Sequence, residues 1–166
     1  VSGASLNRGA SRQDYRTPPE FLAAAKERFG RLAWDLAADS EASVSALDHY
    51  YGPGSTYAED ALSFDWSVRG DWPTGCTLWC NPPFATLAPW AEHCASLRDR
   101  AGWTLLLVPA SVGTEWWARH VHGAGYALWL APRLKFVGCA DPYPKDLALV
   151  AYGYGVTGAG PWRWKA

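Results

Sequence analysis

Within Trp79-Cys80-Asn81-Pro82-Pro83-Phe84 lie residue types that can hold a planar amine. The Asn offers a side-chain carbonyl as acceptor. The two prolines fix φ and lack N–H groups, so the backbone is rigid and its carbonyls stay available. The Phe supplies a flat face for stacking. Two acceptors on the N–H groups of an amine draw electron density toward its nitrogen and help turn the lone pair out of conjugation. A stacked ring holds a base that has left its helix. Asn81, Pro82, Pro83 and Phe84 are therefore candidate catalytic residues for transfer of a methyl group to an amine such as that of adenine. A Pro-rich turn at a strand end is the plainer reading of the same residues.

A second chemical signal is the distribution of charge. From Asp35 to Asp71 there are eight acidic residues against the single basic Arg69, a segment charge of −7, while the remainder is +6. The formal net charge of −1 thus averages an acidic block with a mildly basic remainder, and it does not exclude nucleic acid. The block is either a solvated loop or the lining of a site for a cationic or hydroxyl-rich ligand. The four cysteines, Cys76, Cys80, Cys94 and Cys139, are spaced poorly for zinc, even with His93 added. Reduced, mostly buried thiols in a cytosolic protein are the expectation, with no metal.

These residues need elements to position them. Thr17-Pro18-Pro19-Glu20 opens a helix with Thr17 as N-cap and Glu20 completing a capping box, and Gly30 ends it. The run Arg31–Ala37 reads as a buried strand ending near Asp35, and Cys76–Cys80 as a second strand feeding directly into Asn81. Residues 39–66 read as loops with one short helix. Thr86–Arg100 and Thr114–His122 are expected as helices; Trp103–Val108, Tyr126–Leu130 and Leu147–Tyr152 are expected as strands. This alternation predicts an α/β, Rossmann-like single domain with a mixed, mostly parallel sheet and helices on both faces. Val1–Gln13 reads as a flexible lead-in rather than a signal peptide, and residues 14–166 as the domain.

At 49% hydrophobic and 19% charged residues, the chain is expected to pack a core rather than remain disordered. No apolar run approaches the roughly 18 residues of a membrane-spanning helix. Of the 11 tryptophans, Trp34, Trp79, Trp103 and Trp129 fall on expected strands and are assigned to the core. Trp66 falls in a loop where its indole could stack on a purine. Trp72, Trp90, Trp116, Trp117, Trp162 and Trp164 are divided between packing and DNA contact.

Four segments, in order, resemble the phage-type DNA N6-adenine methyltransferases, the small Dam-like family of phages and prophages. They are Thr17-Pro18-Pro19-Glu20-Phe21, Trp34-Asp35-Leu36-Ala37-Ala38, the Trp79–Phe84 block, and Arg133-Leu134-Lys135-Phe136 with Pro142 and Pro144 following. The resemblance implies methylation of adenine N6 in DNA with S-adenosylmethionine as donor, in the bacterial cytoplasm, and protection of phage DNA from restriction. It implies donor contacts from Asp35 and Ala37, from Thr17 and Pro18, and from Asp65 and Trp66 at the donor's adenine, with Asp48 a weaker candidate for its ribose. It implies DNA contacts from Arg133 and Lys135. The usual glycine-rich loop after the first strand is absent, because Asp35 is followed by Leu-Ala-Ala-Asp. No separate target-recognition domain fits between Asp35 and Asn81. Two other readings stay open. One is an amino methyltransferase for RNA adenine or a protein glutamine amide, which are also planar amines. The other is a non-catalytic nucleic-acid-binding module with aromatic stacking platforms.

Overall fold

A computed structural model describes residues 15–39, 49–68 and 72–166. The expected lead-in, Asp48 and part of the acidic block lie outside the described residues. Helix α1 spans Pro19–Phe29, and it buries Phe21 and Ala25. It ends where Gly30, at φ 83°, donates its N–H to the Lys26 carbonyl. Its start differs from expectation. Pro18, not Thr17, occupies the N-cap position, and no side chain caps the helix. A residue before proline is driven toward extended backbone, which leaves Thr17 on the incoming strand-like segment instead.

Among the described residues seven strands follow: β1 (Leu32–Asp35), β2 (His49–Tyr50), β3 (Thr77–Cys80), β4 (Thr104–Pro109), β5 (Tyr126–Ala131), β6 (Leu147–Tyr152) and β7 (Gly158–Arg163). They form one mixed sheet in the order β2-β1-β3-β4-β6-β5-β7. Every neighbouring pair is parallel except those made by β6, which runs antiparallel to both β4 and β5. Helices α2 (Leu87–Ser96) and α3 (Glu115–His120) complete the α/β chain. β1, β3, β4 and β6 are buried along their whole length, as near-continuous apolar runs demand.

Alternate strand residues feed two separate cores. Trp79, Leu105, Leu107 and Leu149 pack with Phe21 and Ala25 of α1. Leu78, Cys80, Leu106 and Val150 pack with Trp90 and Cys94 of α2 and Trp117 of α3. Trp34 and Trp79 are core residues, and Trp90, Trp117 and Trp162 are buried too. Trp129 departs from its expected place: it is 47% exposed on β5. Trp103 precedes β4 rather than lying on it, half-buried against the Phe29 ring at 5.5 Å. A Cβ on Gly153 would stand 2.5 Å from that indole, so only glycine fits there. β2 and β7 go beyond the sequence expectations. β7 reads Gly-Ala-Gly-Pro-Trp-Arg, a poor strand sequence, and it holds its place at the sheet edge by pairing with β5 alone.

The direction of β6 matters for the site. The carboxyl ends of β1, β3, β4 and β5 share one edge of the sheet, and β6 begins at that edge, with Leu147 opposite Pro109. The loop 132–146 from β5 to β6 therefore stays on the edge where Asp35 and Asn81 emerge. Helix α1 runs toward the start of β1, so the residues before it lie on that same edge.

Candidate active site

Asp35 and Asn81 leave adjacent parallel strands. Asp35 pairs in register with Trp79, and the Leu36 N–H donates to the Trp79 carbonyl at 2.8 Å. Asn81 Nδ2 donates to the Tyr15 carbonyl at 2.6 Å and to Thr17 Oγ1 at 3.2 Å. A backbone carbonyl can only accept, so the amide nitrogen must face Tyr15. Asn81 Oδ1 is then turned the other way, where it is buried and has no hydrogen-bond partner. Such an orphaned acceptor costs about 1–3 kcal/mol and calls for an explanation.

Rings surround this atom's residue block. Phe84 stands 5.6 Å from Tyr15, 6.1 Å from Phe136 and 5.5 Å from Tyr143. Tyr15 lies 4.8 Å from Phe136 at an interplanar angle of 31°, and 5.4 Å from Tyr143 edge-on. Backbone bonds close the cluster: Val137 N–H to the Arg16 carbonyl at 3.0 Å, and Tyr143 N–H to the Leu134 carbonyl at 2.7 Å. Three motifs far apart in the chain thus meet at one place: the segment before α1, the Asn-Pro-Pro-Phe block and Arg133–Phe136. Partial burial pushes the Tyr143 phenol up, with Tyr15 adding to the effect, so it stays a neutral donor. The Tyr15 and Tyr143 rings were not singled out in the sequence. Their only signals are a tyrosine two residues before Thr17 and an aromatic held between Pro142 and Pro144.

The remaining candidates divide. Pro82 is buried, and Pro83 is half-buried beside it. Asp35 is 3% exposed, and its Oδ1 accepts from the Ala37 N–H at 3.1 Å. Ala37 is half-buried, and Pro18 is buried at the start of α1. The loop after β2 presses onto this strand end. Gly52 approaches so closely that a Cβ would lie 2.1 Å from the Ala38 carbonyl oxygen, at a φ of 142° that side chains avoid.

Asp65 and Trp66 sit on a loop against α2, where the Phe64 carbonyl meets His93 Nε2 at 3.0 Å. Asp65 is exposed; its Oδ1 accepts from the Ser67 hydroxyl at 2.7 Å and the Ser67 N–H at 2.8 Å. These bonds hold its carboxyl below the ordinary range. Trp66 requires a correction. It is 0% exposed, donates to the Ala61 carbonyl at 2.7 Å, and packs against Trp90, Trp72 and His93. An indole so enclosed has no open face for a purine.

Arg133 is exposed but engaged. Its Nη1 donates to the Pro144 carbonyl and its Nη2 to Asp146 Oδ1, each at 3.0 Å, so it ties the two ends of the loop together. Lys135 is exposed two residues on. Cys80 and Cys94 are buried neighbours, and burial, reinforced by Cys94, pushes the Cys80 thiol well up. The His93 ring nitrogens face the Pro89 and Phe64 carbonyls rather than thiols. Among the described residues, no three potential metal-ligating side chains gather, and no helix is long and apolar enough to cross a membrane.

A model of the family described as DNA N-6-adenine-methyltransferase (Dam) matches residues 5–146, most of the chain. No curated protein matches the chain.

Proposed function

The chain belongs to the DNA N-6-adenine-methyltransferase (Dam) family and methylates the N6 amino group of adenine in DNA; from that premise, we propose that Asn81, Pro82, Pro83 and Phe84 form its catalytic centre and that S-adenosylmethionine is the methyl donor. The observation that carries this reading is the buried, unpartnered Oδ1 of Asn81, held in one orientation by the Tyr15 carbonyl. It is an acceptor waiting for an N–H that no described residue provides.

The donor, when bound, supplies an electrophilic methyl group on a sulfonium sulfur. The strand-end residues suit such a cation. Asp35 brings a carboxylate out of water on the strand beside β3, and the small Ala37 follows it where other families carry glycine. We assign the donor's methionine end to Asp35, Ala37 and Pro18. Asp65, exposed and held ionised by Ser67, is assigned to an amino group of the donor. Trp66 is left out for lack of an open face.

The target adenine leaves its stack and enters beside Asn81. Asn81 Oδ1 and the Pro82 carbonyl accept from its amino group, and Phe84 with its neighbouring rings holds the base plane. The accepting oxygens turn the nitrogen lone pair out of the ring system. After transfer, the N-methylated cation is acidic and gives its proton to water, so no strong base is needed. Catalysis comes from positioning and from acceptors fixed before the substrate arrives. Lys135 is assigned to a phosphate of the target strand.

The sheet fits a Rossmann-like fold with α1 on one face and α2 and α3 on the other, given the two cores that separate those helices. The phage-type motifs favour a role in bacterial cytoplasm, protecting DNA from restriction. The domain is proposed to span residues 14–166. Asn81→Ala is expected to abolish N6-methyladenine, measured by nucleoside mass spectrometry after incubation with labelled donor and unmethylated DNA. Donor binding by calorimetry should stay near wild type. Normal activity in that variant would overturn the assignment.

A further inference from the structure

We propose that Thr17 is a positioning residue: the Tyr15 carbonyl decides which end of the Asn81 amide faces the substrate, and Thr17, taking the second amide hydrogen, holds the amide in that place. The proposal rests on the reading of Asn81 as the acceptor for the target amine. An asparagine side chain can rotate by half a turn and exchange its oxygen and nitrogen at little steric cost. Only its hydrogen-bond partners decide between the two. The Thr17 hydroxyl alone would not decide, because it can donate or accept. The Tyr15 carbonyl at 2.6 Å can only accept, and so it demands the nitrogen. Thr17 Oγ1 at 3.2 Å then takes the second amide hydrogen. Both donors of Asn81 are thus used within the protein and its acceptor is left over. That is the pattern a substrate amine requires.

The segment carrying both partners is itself fixed. Arg16 accepts from the Val137 N–H at 3.0 Å on one side. On the other side Pro18 and Pro19 start α1 and confine the backbone. Thr17 is 6% exposed, so its hydroxyl is committed inside the protein. It does not cap the helix that its position suggests; the hydroxyl is given to Asn81 instead.

Thr17→Val keeps the side-chain shape and removes the hydroxyl. We expect its kcat for DNA methylation to fall about tenfold or more, the loss that corresponds to one hydrogen bond expressed at the transition state. KM for the donor should change by less than about twofold. Thr17→Ser should restore most of kcat. In nuclear magnetic resonance spectra, the Asn81 side-chain amide protons should exchange slowly in the wild type and faster in Thr17→Val, with Thr17→Ala as the replacement should the Val variant not fold. A Thr17→Val enzyme with unaltered kcat and unaltered Asn81 amide signals overturns the proposal. So does a defect confined to a raised donor KM, which would make Thr17 a donor contact. The amide signals need no turnover. A wild-type protein that yields no N6-methyladenine, yet has protected Asn81 protons sensitive to Thr17, would overturn the catalytic reading and not the positioning.

Discussion

At the scale of single residues, the site depends on the difference between an atom that has a partner and one that lacks it. Asn81 stands out in the sequence because it follows a strand directly and precedes Pro-Pro-Phe. The orientation of its amide was not legible, since it follows from Tyr15, 66 positions earlier. The burial of Trp66 is hidden from the sequence for the same physical reason. A tryptophan in a loop can stack on a ligand or fill a core, and only the surrounding rings decide. Arg133 and Lys135 look equivalent in sequence, but the structure separates them. Arg133 spends its guanidinium on Pro144 and Asp146, whereas Lys135 projects from the same loop. Lys135→Ala is therefore expected to weaken DNA binding evenly across sequences and to reduce the slope of log affinity against log salt by about one. Arg133→Ala should leave that slope closer to wild type and make the 133–146 loop more sensitive to limited proteolysis. Equal slopes for Lys135→Ala and the wild type would remove Lys135 from the interface.

At the scale of elements, the central strands and helix α1 follow from pattern. Leu147–Tyr152 begins and ends where its apolar run does, and α1 ends at its glycine. The edges were harder to read. β7 lacks a strand's usual residues because its stability comes from β5, and β2 is only two residues long. Helix α3, at six residues, is also shorter than the expected Thr114–His122. It is fastened by a side chain from the sheet: the Tyr152 hydroxyl donates to the His120 carbonyl at 2.8 Å. Tyr152→Phe keeps the packing and removes this donor. We expect it to lower unfolding free energy by about 1–2 kcal/mol, measured by urea denaturation, with little effect on methylation.

At the scale of the molecule, two buried acids favour neutrality. Burial pushes both the Cys80 thiol and the Tyr152 phenol well up. A group with a raised native pKa contributes stability that is fully present below its unfolded value and lost as pH rises through the folded one. With unfolded values of about 8.5 and 10, the urea midpoint should hold steady from neutrality to about pH 8 and then decline. Cys80→Ala should flatten the first part of that decline; a slope identical to wild type would show that the thiol does not contribute. Net charge, by contrast, told little about partners, because its −1 averages unlike segments. The reversed strand β6 carries a consequence for biosynthesis. A nascent chain that has emerged only to residue 132 already holds Asn81-Pro82-Pro83-Phe84. It still lacks Phe136 and Tyr143, and also the strand that sits between β4 and β5. The ring cluster around Phe84 can therefore close only late in translation, after residue 143 has been made and the last strands join the sheet.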